Sequence, residues 1–153
     1  MLRATQNNWD ERQLICRGKG YQYGFLTMVA YAAVYYLLTV FTERQFMTAD
    51  TGILAALFLG AGVHATYCIL NDAYFTIHDT SAKSCFWSFL ILAIVNGMFG
   101  VFGIADGRLI NESGLLTNYL LSIIIMVVSL ANVAALIINK AKAEQEEQDD
   151  EES

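Results

Sequence analysis

The sequence predicts an all-α protein, a bundle of four transmembrane helices with a short N-terminal interfacial helix and an acidic C-terminal tail. Three observations carry that reading. The chain is 56% apolar with a mean hydropathy of +0.42, above the ordinary soluble range. Four long stretches hold no Asp, Glu, Lys or Arg, and none of the 153 residues is proline, so the commonest cause of a helix kink is missing.

The charge-free stretches set the spans at about 20–42, 51–71, 84–105 and 113–139. Each has at least the ~20 residues that cross ~30 Å of hydrocarbon at ~1.5 Å per residue. The fourth, at 27 residues, must tilt or protrude. A soluble helix of such length would show a charged face to water, and none of the four does. Irregular backbone cannot face lipid, so the spans are helices, and an outer-membrane barrel would need shorter alternating segments.

Residues 1–142 thus form one transmembrane domain. Before the first span, Asn8 is placed to cap a short helix with Asp10 and Glu11 in its first turn, Arg17 in its last and Gly18 after it, as the helix dipole favours. Trp9 belongs at the membrane interface. The apolar run that follows is too long for a cleavable signal peptide and is expected to act as an uncleaved anchor. Thr48 or Asp50 is placed to cap the second helix, and Asp106-Gly107 reads as a turn. Residues 143–153 are low-complexity and acidic, expected to be disordered or a frayed extension of the fourth helix.

The net charge of −6 is local: seven of the fifteen acids lie in the last ten residues. Arg3, Arg12, Arg17, Lys19, Lys83, Lys140 and Lys142 fall on one side of the four crossings, Arg44 and Arg108 on the other. Seven against two places both termini in the cytoplasm of a multi-pass cell-membrane protein, with external loops of only about seven or eight residues. The basic residues do not form a nucleic-acid footprint.

Several polar residues fall inside the spans, where they must turn from lipid toward protein. His64 shares a face with Tyr67, Cys68 and Asn71. It suits part of a proton or metal pathway, or a neutral imidazole bonded between helices; with no carboxylate inside any span, the second is favoured. Asn118, Ser122, Ser129 and Asn132 fall within about 80° of the fourth helix, one polar seam on an Ile/Val/Leu cylinder. The third span adds Asn96 with Gly97, Gly100 and Gly103, and the second has Gly52, Ala56 and Gly60 at four-residue spacing. Small residues let backbones approach and amides bond across helices, so packing is the expected role, ahead of a solute path or a homodimer seam.

No catalytic, cofactor or metal constellation emerges. Cys16, Cys68 and Cys85 lack the paired spacing of a thiol oxidoreductase. Asp72, His78 and Asp79 match no metal-ligand pattern. The sequon at Asn111-Glu112-Ser113 abuts the fourth span and is taken as chance. At the cytoplasmic side, Asp10, Glu11, Arg12, Arg17, Lys19, Asn71 and Asp72 form a candidate platform. There Asp72, in the last turn of a second helix continuing through Tyr74 and Phe75, either pairs with Arg17 or Lys19 or reaches water beside the headgroups without a partner.

The run Asp10-Glu11-Arg12-Gln13, then Arg17 to Tyr21, then Cys68 to Phe75 (CILNDAYF), resembles uncharacterised families of small multi-span bacterial membrane proteins. These share a DERQ-type N-terminus and an N/K-D-A-Y segment, and their genes often lie beside helix-turn-helix regulators. The resemblance covers about half the chain and implies a bacterial cytoplasmic membrane. It carries over no catalytic residue. The function expected is non-enzymatic: binding a protein partner or regulating at the cytoplasmic face, without nucleic acid. The alternative is a small homo-oligomeric transporter or channel. Small drug exporters share the span count but rely on an acid in the first span, which 20–42 lacks.

Overall fold

The structure, a computed structural model, describes residues 9–75 and 82–151. It is helical: α1 (Glu11–Thr42), α2 (Ala49–Leu70), α3 (Ala82–Ala105) and α4 (Asn118–Glu151). All four are long and apolar enough to cross a membrane. The end where α1 starts and α4 finishes is called proximal, and the opposite end distal. α1 and α3 run proximal to distal, while α2 and α4 run back.

The sequence sets each boundary by identifiable chemistry. α1 begins at Asp10, whose backbone N–H donates to Oε1 of Gln13 at 3.3 Å in a capping box. The expected cap, Asn8, lies outside the described residues. The separate interfacial helix does not form among them: Glu11–Lys19 continues into the span as one 32-residue helix about 48 Å long. Gly18 does not break it, since with helix on both sides a lone glycine costs only about 1 kcal/mol.

α2 starts after Thr48, whose hydroxyl meets that of Thr51 at 2.8 Å, with Asp50 in the favourable first turn. It ends at Leu70, earlier than the sequence suggests. The Ala73 N–H bonds to the Cys68 carbonyl and the Asp72 N–H to that of Ile69, at 2.8 and 3.3 Å, a Schellman closure with Asp72 left-handed at φ 54°. Asp72 therefore stands beyond the helix, not in its last turn. The same closure ends α3, where Gly107 takes φ 66° and Arg108 N–H reaches the Gly103 carbonyl at 2.8 Å.

α4 starts at Asn118, five residues later than the charge-free run. Residues before it are held in a loop, where Leu116 bridges to Met47 and to Ile110. The side-chain oxygen of Asn111 accepts from the backbone N–H of Ser113 and Leu115 at 3.0 and 2.8 Å, so the sequon asparagine is engaged in its own turn. At its other end α4 continues to Glu151, so the described part of the acidic tail extends the fourth helix. Ala, Lys, Glu and Gln are strong helix formers, and Lys140 sits 3.4 Å from Glu144 one turn on.

The helices pack as an open row, α1 on α2, α2 on α4, α4 on α3, and among the described residues no other pair meets. Glycines set each joint. Gly24 of α1 faces the Gly60 backbone of α2 so closely that a Cβ would come 2.6 Å from its carbonyl oxygen, and Gly20 lies under His64 and Cys68. Gly62 of α2 receives Val128 of α4, while Gly97, Gly100 and Gly103 of α3 receive Met126, Ile123 and Tyr119. Such joints suit lipid, where close backbone approach replaces the hydrophobic effect as the packing force. α1 fully buries only Gly20 and Gly24; Met28, Tyr31 and Tyr35 are half-buried, and most of its other large side chains face outward.

Candidate functional site

The polar seam is a packing joint at both ends. Near the distal end the Thr51 hydroxyl donates to Oδ1 of Asn118, and toward the proximal end the Thr66 hydroxyl donates to Oδ1 of Asn132, both at 2.8 Å. Thr51, Ser129 and Asn132 are buried. α2 and α4 run parallel, so threonines 15 apart on one match asparagines 14 apart on the other. Ser122 is half-buried on α4. Asn96 stays apart, its amide donating to the Leu92 carbonyl of its own helix at 2.9 Å.

His64 stacks on Tyr21 of α1, with centroids 4.1 Å apart and planes 17° from parallel. Its Nδ1 is 3.7 Å from the Cys68 sulfur one turn on. The other side of this group meets a groove that Ser129 and Asn132 also line. Among the described residues no three His, Cys, Asp or Glu side chains converge as a metal site would require. His78 and Asp79 lie outside the described residues.

The proximal end gathers polar contacts around the turn from Asn71 to Phe75. Asn71 caps α2, its amide donating to the Tyr67 carbonyl at 2.8 Å. Asp72 accepts at Oδ1 from the Asn139 amide of α4 at 2.7 Å, while its Oδ2 is 3.7 Å from Arg12 of α1. Its carbonyl accepts from Gln13 at 2.7 Å, and Gln13 also reaches the Phe75 carbonyl at 3.2 Å. One turn of chain is thus tied to both flanking helices.

The partner expected for Asp72 therefore needs correction. Arg17 does not pair with it: the guanidinium donates to the Ala73 carbonyl at 3.4 Å and lies 4.0 Å over the Trp9 ring. Lys19 is exposed and makes no ion pair among the described residues. The reason is register: with α2 closed at Leu70, Asp72 projects sideways to Arg12 and Asn139 instead of back along the helix. Asp10 and Glu11 serve the start of α1. Beyond the turn, burial pushes the Tyr74 hydroxyl above its ordinary value, and the neighbouring Cys85 thiol adds to the rise.

Gln13, Asn139, Thr51 and Thr66 were not among the sequence candidates. A signal existed for three of them. Asp10 and Gln13 have capping-box spacing, and the two threonines match the spacing of the asparagines on α4. Nothing local to Asn139 marks it as a partner of Asp72. No protein-family model, curated protein or solved structure matches this chain.

Proposed function

We propose that this is a non-enzymatic membrane protein that works by contact, binding a protein partner or regulating one at its proximal end, in the cytoplasm of a bacterial cell. The observation that carries it is the Asp72 turn, where Arg12, Gln13 and Asn139 converge from two helices on one two-faced carboxylate and its carbonyl. Lipid-facing helices need no such junction for burial, but a defined docking surface requires fixed polar groups. The excess of Lys and Arg at this end supports the cytoplasmic placement. The resemblance to small bacterial multi-span proteins supports the choice of membrane.

α1 and α4 extend the surface beyond the bilayer. α4, at 34 residues, is about 51 Å long, some 20 Å more than the ~30 Å of hydrocarbon, and its surplus carries the acidic extension. Against the alternative of a homo-oligomeric transporter or channel stands the seam, whose terminal asparagines accept hydrogen bonds from α2 threonines.

The test is photocrosslinking in living cells, with a photoreactive amino acid at Glu11 or Ala143, both exposed and proximal, or at Phe41 near the distal end. A discrete protein adduct is expected from the proximal positions and not from Phe41, and it should fall sharply in the Asp72→Ala background. Identical adducts from both ends, or lipid adducts alone, would refute the reading.

A further inference from the structure

Because α2 and α3 do not touch, a groove of about 580 Å³ runs between them over α4. Its walls are mainly apolar, with Phe58 and Ala61 on α2, Phe89 and Leu92 on α3, and Ile125 and Val128 along the floor, and His64, Ser129 and Asn132 add polar groups toward the proximal end. Arg17 and Tyr74 stand at its proximal end. From Phe58 to Cys68 the α2 wall rises about 15 Å, half of the ~30 Å hydrocarbon thickness. The groove therefore spans one leaflet.

Arg17 is half-buried and forms no ion pair among the described residues. Of its five N–H donors one has a protein acceptor among the described residues, the Ala73 carbonyl, and the Trp9 ring covers one side. A guanidinium with donors to spare calls for an oxyanion, and two oxygens of a tetrahedral phosphate match its planar fork. Asp72, the residue before the carbonyl that Arg17 reaches, is taken by Arg12 and Asn139.

We propose that the groove binds one anionic glycerophospholipid from the proximal leaflet, an acyl chain lying between α2 and α3 and the headgroup phosphate on Arg17. Length separates this occupant from a partner helix. A spanning helix needs an apolar face running the full ~30 Å, whereas this groove stops halfway. Charge points the same way, because a basic group beside a lateral opening between helices is a recurring setting for anionic headgroups.

Native mass spectrometry of the full chain in neutral detergent, titrated with phosphatidylglycerol or with phosphatidylcholine of the same chain length, reads this directly. One phosphatidylglycerol should be retained on the order of tenfold more tightly than phosphatidylcholine, the factor that about 1.4 kcal/mol from a charge-assisted contact supplies. Arg17→Gln should bring the two lipids to parity, and Arg17→Lys should keep most of the preference. Ala61→Phe, which places a ring in the groove from an exposed position, should weaken retention of both. Val101→Phe, on an exposed face of α3 away from the groove, should change neither. Circular dichroism checks that each variant keeps the parent's helicity; should Arg17→Gln not fold, Ala61→Phe decides. Equal retention in the parent, a preference that survives Arg17→Gln, retention indifferent to Ala61→Phe, or a second polypeptide in place of lipid would overturn the proposal.

Discussion

Replacing Asp72 by glycine and by alanine separates two contributions of that residue. Its φ of 54° is left-handed, a conformation that costs a residue with a Cβ about 1 to 2 kcal/mol and glycine almost nothing. Alanine and glycine both delete the carboxylate, so their difference isolates the backbone: Asp72→Ala should be less stable than Asp72→Gly by about 1 kcal/mol. The side-chain contribution comes from cycles. The Asn139 bond, at 2.7 Å, is charge-assisted but exposed, which brings its coupling to about 1 kcal/mol, below the range for buried charged hydrogen bonds. The Arg12 contact is 3.7 Å long with side chains 68% and 62% exposed, so solvent screening leaves it under about 0.5 kcal/mol. Arg17 should show no coupling to Asp72. Unfolding in mixed micelles, followed by circular dichroism, measures all of these. A coupling to Arg17 larger than that to Asn139, or equal stability of the glycine and alanine variants, would refute the assignment of Asp72 to the position after the α2 cap.

Three further outcomes follow from the packing. Asn132→Leu should loosen the α2–α4 joint by about 0.6 to 1.7 kcal/mol, and adding Thr66→Val should cost less than the sum of the two single changes, as the same unfolding assay would reveal. Gly24→Ala should destabilise by about 1 to 3 kcal/mol because its Cβ meets the Gly60 backbone, whereas Gly18→Ala, which meets nothing within 4 Å, should stabilise by up to about 1 kcal/mol. Gly107→Ala should lower the melting temperature by an amount matching about 1 kcal/mol, since φ is 66° in open space and only the backbone is strained.

The spans were legible because lipid imposes a rule on every residue: no charge over about twenty positions. Boundaries beyond that rule were not. The start of α1 at Glu11 follows from Asp10 and Gln13, a pairing hidden by the more obvious charge pattern around Asn8. The start of α4 slipped from 113 to 118 because Asn111 and Leu116 hold an uncharged loop, and absence of charge does not separate loop from helix. The seam was visible as an arc on one helix, yet its meaning depended on Thr51 and Thr66, residues that single-helix periodicity does not connect to it. The row order α1–α2–α4–α3 was not legible at all. Each joint rests on which glycine meets which neighbour, and several glycines on each of α1, α2 and α3 offered equivalent faces. For Asp72, the early closure of α2 at Leu70 instead of Phe75 turned the carboxylate to Arg12 and Asn139, a change of five residues in helix length that altered the whole site.

The most direct test of the account is the side of the membrane on which the proximal end lies, because the proposed contact function depends on it. In a background with Cys16, Cys68 and Cys85 replaced by alanine, single cysteines at Asp50, Gly107 and Glu144 can be treated with a membrane-impermeant maleimide on intact cells and again after lysis. The account predicts labelling at Asp50 and Gly107 in intact cells, and at Glu144 only after lysis. Labelling of Glu144 in intact cells, with Asp50 and Gly107 protected, would place the Asp72 junction outside the cytoplasm and contradict it.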